Sequence, residues 1–218
     1  MKTVVITGAS RGIGLATAKK FLGEGWRVIG TSTSGVADLK HENFTVFQLD
    51  LSSSESIKTC VQSILNLNQE TDVLVNNAGI NVEEWEEQVL DVSKLRQTLE
   101  VNLIGTADFT EQILTKTSIK HVINISSRAA ALGDQNDGYM PAYKISKAAL
   151  NMYTRSLAGR LKEKGTIVSS IDPEWVKTDM GGEEAPGTPE EAALSIYNLA
   201  NLQVETGQFW LNGKKRDW

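Results

Sequence analysis

The chain has 218 residues, of which 40% are apolar and 22% charged, a composition that suits one globular domain spanning 1–218. A formal net charge of -5 at pH 7, with no Lys/Arg-rich run, excludes nucleic acid or an anionic membrane as the main partner, and no window approaches ~18 consecutive apolar residues. The apolar stretch in "MKTVVITGAS" is too short for a signal peptide, the lone Cys60 excludes an intrachain disulfide, and His41 and His121 are too far apart to suggest a metal, so a cytoplasmic, metal-free protein is expected.

Short β-branched runs alternate with longer stretches of helical period. In chain order they predict a strand at 3–7, a helix at 13–22, strands at 27–31 and 45–49, a helix at 54–67, a strand at 72–76, a helix at 93–116, a strand at 121–126, a helix at 142–164, a strand at 166–171, a helix at 189–202 and a strand at 208–211. Most of the strands are nearly continuous in Val, Ile and Leu, as expected of strands buried on both faces. The fold class is therefore α/β, a doubly wound parallel sheet of about seven strands with helices on both faces. Ser52 and Glu55 fit a capping box for the helix at 54. "GGEEAPGTP" at 181–189 reads as a loop, and the C-terminal "LNGKKRDW" as a polar tail whose Trp218 tucks back onto the body or onto a partner.

The first strand runs into "TGASRGIG", which sets Gly8, Gly12 and Gly14 in a turn and the start of the following helix. Glycines there let the backbone bend sharply, approach a pyrophosphate and aim amide N–H groups at it, so a bound dinucleotide is expected. At the end of the second strand an NAD site normally carries an acid for the ribose hydroxyls. The sequence instead offers Thr31, Ser32, Thr33 and Ser34, with no acid before Asp38. Hydroxyls there, with Arg11 in the glycine turn, suit a 2′-phosphate, which favours NADPH/NADP+ over NADH. The alternative is that Arg11 is a solvated loop residue and the hydroxyls simply end a strand.

Tyr143 and Lys147, in "YKISK", would lie on one helix face. Moving a tyrosine from about pH 10 to about 7 needs roughly 4 kcal/mol, and one ammonium about 4 Å away supplies about that at an effective dielectric near 20. The pair is a candidate acid/base couple, or else an ordinary solvated helix edge.

Five segments in order, "TGASRGIG", "NNAG" at 76–79, "VNLIGT" around Asn102, "NISS" ending at Ser127, and "YKISK", resemble the motif set of the short-chain dehydrogenases/reductases, with the glycine spacing of the compact single-domain Rossmann branch. Within that branch "SSRAAALGDQNDGYMPAYKISKAALNM" and "WVKTDMGGEEAPGTPEE" are most similar to the C-factor and sniffer-type carbonyl reductases. The resemblance implies a carbonyl reductase acting on an aldehyde, ketone or quinone. In it Ser127 bonds the substrate carbonyl oxygen and Tyr143 exchanges the proton, while Ser126 faces the core. Lys147 lowers the tyrosine pKa and holds the nicotinamide ribose, and Asn102 positions a water or braces a helix kink, two roles that can coexist. It further implies cofactor contacts from Gly8, Ser10, Arg11, Gly12, Ile13, Gly14, Thr31 and Ser32, from Asn77, Ala78 and Gly79, and from Pro173, Val176 and Thr178 beside the carboxamide. Asp50 would meet the adenine amino group with the Leu51 N–H nearby, unless it is only a loop residue, and Asn76 would brace the sheet.

Three departures stand out. Glu174 follows Pro173 where the family has glycine, and its carboxylate could stabilise oxidised nicotinamide, crowd the ring or face solvent. The 16 residues from Ser127 to Tyr143 exceed the usual spacing, so "DQNDG" should bulge beside the pocket, and alanines in "RAAALG" replace a glycine that often follows the serine. The substrate loop at 179–189 is short, which implies an open site, and Trp85, Tyr139, Met140, Trp175 and Met180 are candidate walls or ordinary core. The resemblance also implies a homodimer or homotetramer through the helices at 93–116 and 142–164. A regulatory or signalling protein that binds NAD(P) with little turnover is the alternative function.

Overall fold

The computed structural model describes residues 1–135 and 137–218; Asn136, in "DQNDG", lies outside the described residues. Val and Ile dominate β1 (Thr3–Ile6), β4 (Val73–Asn76) and β5 (His121–Ile125), in which every residue is buried. They form the centre of one eight-stranded sheet completed by β2 (Arg27–Ser32), β3 (Phe44–Gln48), β6 (Ile167–Ile171), β7 (Gln208–Leu211) and β8 (Lys214–Arg216). The order is β3-β2-β1-β4-β5-β6-β7-β8, parallel throughout except for β8, which pairs antiparallel with β7. The direction of winding reverses between β1 and β4, and the crevice that this opens at the strands' carboxyl ends holds the site described below.

Alternate strand residues serve two cores. Val4, Ile6, Val28 and Val75 pack under α1 (Gly12–Gly23) and α6 (Pro189–Asn201) through Phe21, Leu22, Ile196 and Leu199. Val5, Ile29, Leu74 and Val122 pack under α2 (Ser54–Leu65), α4 (Thr106–Leu114) and α5 (Pro141–Leu161) through Ile57, Phe109, Ile113 and Leu157. Each such side chain, fully buried, contributes about 1.5–3 kcal/mol.

Three expectations are corrected. The polar tail is a strand: Asn212 (φ 47) and Gly213 (φ 75) form a tight turn that folds β8 back on β7, and Trp218 stacks on Phe209 at 5.6 Å. The helix at 93–116 is α3 (Val92–Leu99) and α4 separated by a π-helical turn, Glu100–Gly105. At this turn the helix passes so close to the β3–α2 connection that a Cβ on Gly105 would overlap Leu51 O. Ser52 does not cap α2. Its hydroxyl donates to Asp50 Oδ1 at 2.6 Å, and Ser53 accepts from Ser56 N instead. A capping box does form at α6, where Thr188 and Glu191 exchange bonds. Among the described residues no helix is long and apolar enough to cross a membrane.

Two titratable groups lie in the core. Cys60 on α2 is buried, and desolvation pushes its thiol up to about 12. His121, 2% exposed, sits with Nε2 2.9 Å from Ser169 Oγ, and burial pushes its pKa down to about 4. The unfolded imidazole takes up a proton near 6.5 that the fold refuses until about 4, so stability is full above 6.5 and falls as the pH drops. At ~1.4 kcal/mol per pH unit, acidification from pH 7 to 5 should cost about 2 kcal/mol at this residue. Thermal melts across that range should show a slope that His121→Gln flattens; equal slopes would exclude the histidine as the cause.

Candidate active site

The chain leaves β1 through a turn whose conformation demands glycine, with φ +69 at Gly8 and +53 at Gly12. Thr7 fastens this turn to the end of β4, its Oγ1 accepting from Asn77 N and Ala78 N at 3.0 Å each. Asn77 Nδ2 donates back to Thr7 O (2.9 Å) and Gly8 O (3.1 Å). A Cβ on Gly14 would overlap Gly8 O, so α1 can start this close to the turn only with glycine there. Asn76, as expected, braces the sheet by donating to Thr110 Oγ1 and Asn124 Oδ1, both at 2.8 Å.

A cavity of about 1450 Å³ runs along the carboxyl ends of the strands from Ser32 and Asp50, past the glycine turn, to Ser127, Tyr143 and Trp175. Every predicted site residue lines it except Thr31 and Asn102. That volume exceeds the ~300–1,000 Å³ of a typical ligand pocket, so it has room for a dinucleotide with a second small molecule. Gly8, Gly12 and Gly79 line the cavity with bare backbone, and a Cβ on Gly79 would press to 3.2 Å from Asn102 Oδ1 and 3.5 Å from Lys147 Nζ.

At the end nearest Ser32 and Asp50 the structure reassigns three groups. Thr31 is buried and its hydroxyl accepts from Gly8 N at 3.3 Å, so it supports the turn, and Thr33 takes its place on the cavity wall. Ser32 Oγ donates to Val36 O at 2.8 Å. Arg11 reaches across the mouth to Asp179 at 3.0 Å, with both side chains at least 75% exposed. Such a pair holds by about 1 kcal/mol or less, so a phosphate can take the guanidinium at little cost. Asp50 remains on the wall, and bonds from Ser52 hold its carboxyl below the usual range.

The chemistry-bearing residues meet at the other end. Ser127 caps the short turn Arg128–Ala130, its Oγ accepting from Ala129 N at 3.1 Å, and it lines the same stretch of cavity as Tyr143. Ser126 faces inward, donating to Asn151 Oδ1 at 2.7 Å. Lys147 is buried one helical turn after Tyr143, and its Nζ donates to Ile125 O at 2.9 Å and lies 5.7 Å from the Tyr143 ring centroid. Asn102, in the π turn, ties the 79–81 segment to α5. Its Oδ1 accepts from Ile80 N (2.8 Å), and its Nδ2 donates to Ile80 O (2.9 Å) and Ser146 Oγ (3.0 Å).

The expected lowering of the tyrosine pKa does not occur. Burial pushes Tyr143 up to about 12, with the Ser127 hydroxyl opposing and the Asp172 charge adding to the rise. Desolvation also lowers Lys147 to about 8. Burial therefore outweighs the lysine, and at neutral pH the phenol keeps its proton.

Pro173 and Val176 follow β6 along the cavity, and the segment is pinned by Lys177 N to Gly187 O at 3.0 Å. Thr178 Oγ1 accepts from Gly181 N at 3.0 Å. Glu174 adopts φ +66, a conformation that favours glycine, and it is exposed, the solvent-facing alternative among the three expected, with its Oε2 accepting from Asn212 Nδ2 at 3.0 Å on the β7–β8 turn. Left-handed backbone costs a non-glycine residue ~1 kcal/mol or more. Melting temperatures should therefore run Glu174→Gly above the native protein and Glu174→Ala below it, since alanine keeps the strain and loses the bond; alanine matching glycine would contradict this. Asp172, just before, is buried and paired with Arg216 of β8 at 2.5 Å, and the sequence reading singled out neither.

The cavity wall beyond Tyr143 is aromatic. Trp85 and Trp175 face each other with ring centroids 5.4 Å apart, and Trp175 Nε1 donates to Gly181 O at 2.7 Å. Tyr139, Met140 and Met180 also line the cavity.

Comparison with known proteins places these features in a family. Residues 2–188 match the family described as short chain dehydrogenase. C-signal of Myxococcus xanthus is 35% identical over 144 residues, 64% of this chain and 87% of that protein. The carbonyl reductase Sniffer of D. melanogaster superposes with a TM-score of 0.87 at 26% identity, over the full length of both chains. The NADPH-bound carbonyl reductase from chicken fatty liver superposes at 0.89 with 27% identity, over 100% of this chain and 94% of that one.

Proposed function

The chain belongs to the short-chain dehydrogenase/reductase family of NAD(P)-dependent oxidoreductases, and on that premise we propose that it reduces small carbonyl compounds with NADPH, using Tyr143 as the proton donor. The observation that carries this reading is the meeting of Ser127, Tyr143 and Lys147 at the end of the same cavity that begins at the glycine turn. NADPH, when bound, supplies a hydride to the carbonyl carbon. Ser127 and Tyr143, on the same cavity wall, both reach the carbonyl oxygen, and the phenol, protonated because burial holds it up to about 12, gives its proton there. The Lys147 ammonium, anchored on Ile125 O, holds positive charge beside the phenolate that forms, and Asn102 keeps the 79–81 segment against α5. Arg11 exchanges Asp179 for the 2′-phosphate, and the hydroxyl of Thr33, on the cavity wall, assists it, the Ser32 hydroxyl being held by Val36 O.

Trp85 and Trp175 suit flat apolar carbonyl compounds, whose rings they can stack against. Exposed Ile104, Ile145 and Met152 give the π turn and α5 an apolar surface suited to a homodimer or homotetramer. The test is a panel of aldehydes, ketones and quinones followed by loss of reduced nicotinamide absorbance, with both cofactors. Turnover with a KM for NADPH about tenfold below that for NADH, a gap of ~1.4 kcal/mol, is the expected result. The likeness to C-signal favours a second reading, an NAD(P)-binding signalling protein, and NADPH binding without turnover across the panel would select it.

A further inference from the structure

The helix that carries Tyr143 and Lys147 has no cap of its own. Met140, at its N-cap, is left-handed (φ 49) and makes no side-chain cap bond, and Pro141 has no N–H, so the first donors needing a partner belong to Ala142 and Tyr143. Both are satisfied by one carboxylate from 59 residues earlier in the chain. Glu83 Oε1 accepts from Ala142 N at 3.0 Å and Oε2 accepts from Tyr143 N at 2.8 Å. Glu83 is 7% exposed. A buried carboxylate is tolerated only with such donors, and a helix N-terminus adds favourable charge.

The same loop grips the helix start at further points. Glu87 O accepts from Met140 N at 2.8 Å, Asn81 Nδ2 contacts Met140 Sδ at 3.4 Å, and Asn81 Oδ1 accepts from Glu83 N at 3.1 Å. Two residues after Glu83 the loop places Trp85 on the substrate wall. The carboxylate thus joins the wall of the substrate pocket to the backbone of the proton donor.

We propose that Glu83 is a positioning residue for the carbonyl reduction, a tertiary cap that places the Tyr143 side chain in the cavity it shares with Ser127 and couples that placement to the Trp85 loop. This rests on the reductase reading above. A charge alone does not meet the need, because both oxygens must accept. Glutamine would turn an NH2 donor toward one of the two amides, and aspartate is one methylene too short to span both.

The test is kcat, KM and NADPH binding of Glu83→Gln and Glu83→Asp, together with the titration of Tyr143 followed by ring-labelled tyrosine NMR and assigned with Tyr143→Phe. Misplacement by an ångström costs on the order of a hundredfold, so Glu83→Gln should lose about that in kcat with NADPH affinity kept, and Glu83→Asp should recover part of it. In both variants the Tyr143 titration should move, since the start of α5 shifts and with it the surroundings of the phenol. Native kcat and an unmoved Tyr143 titration in folded variants, with only the melting temperature lowered, would reduce Glu83 to a structural cap and overturn the proposal. Should Glu83→Gln not fold, the milder Glu83→Asp decides by the same two readouts. If the native protein turns over no carbonyl, the reductase reading fails by itself, and the tyrosine titration still tells whether Glu83 places the phenol.

Discussion

Tyr143→Phe is expected to lower kcat/KM for carbonyl reduction by about a thousandfold, within the range usually supplied by a positioned acid, while NADPH binding persists. Phenylalanine keeps the ring that lies 5.7 Å from Lys147 Nζ and the packing at the start of α5, so only the hydroxyl and its proton are lost. The pH profile supplies a second check. The phenol, pushed up to about 12, stays protonated across the neutral range, whereas Lys147, held down to about 8, sheds its proton as the pH rises through that value. Reduction by the native enzyme should be level below about pH 8 and fall above it. A Tyr143→Phe variant with near-native kcat/KM would remove Tyr143 from the reaction.

Arg216→Met should destabilise the fold by about 3 kcal/mol, because it strands a buried charge. Asp172 is 3% exposed at the end of β6, accepts from Glu174 N at 2.9 Å, and has its pKa raised by burial. Arg216 compensates it at 2.5 Å, bonds Asp134 through its other terminal nitrogen, and lies 5.3 Å from the Phe209 ring centroid with a side chain 13% exposed. For a chain of this size ~3 kcal/mol corresponds to a melting temperature lower by roughly 6–12 °C. The deficit should shrink in acid. A carboxyl whose folded pKa is raised binds in the fold a proton that the unfolded chain has released, so lowering the pH through that range favours the fold. Asp172→Asn combined with Arg216→Met should recover much of the loss, and a single variant melting within a degree or two of native would show that the pair is dispensable.

Most of the architecture was legible because parallel strands covered on both faces must be apolar throughout; β1, β4 and β5 announce themselves by Val and Ile. β8 was not, since Lys214, Lys215 and Arg216 form an edge strand with no apolar alternation, and its one local signal was the Asn212–Gly213 turn. The π turn escaped because the helical period continues on both sides, and the close approach of Gly105 to the Leu51 carbonyl that accompanies it is a tertiary contact. The site followed the same division. Motif positions reached the cavity, but Thr31 turned inward to Gly8 N, and the lysine's influence on Tyr143 was judged from spacing alone when burial was the larger effect. Glu83 and Arg216 lie 60 and 73 residues from Tyr143, and pairings at such separation leave no periodic trace in the sequence.

The single cysteine of the chain lies buried in α2 with its thiol pushed up to about 12, so at neutral pH it offers almost no thiolate to an alkylating reagent. The native protein is consequently a silent background for site-specific labelling. A cysteine introduced at exposed Val36 or Leu132 would be the one reactive thiol, and a fluorophore or spin label attached at either position could report on the two ends of the cleft without any prior removal of Cys60.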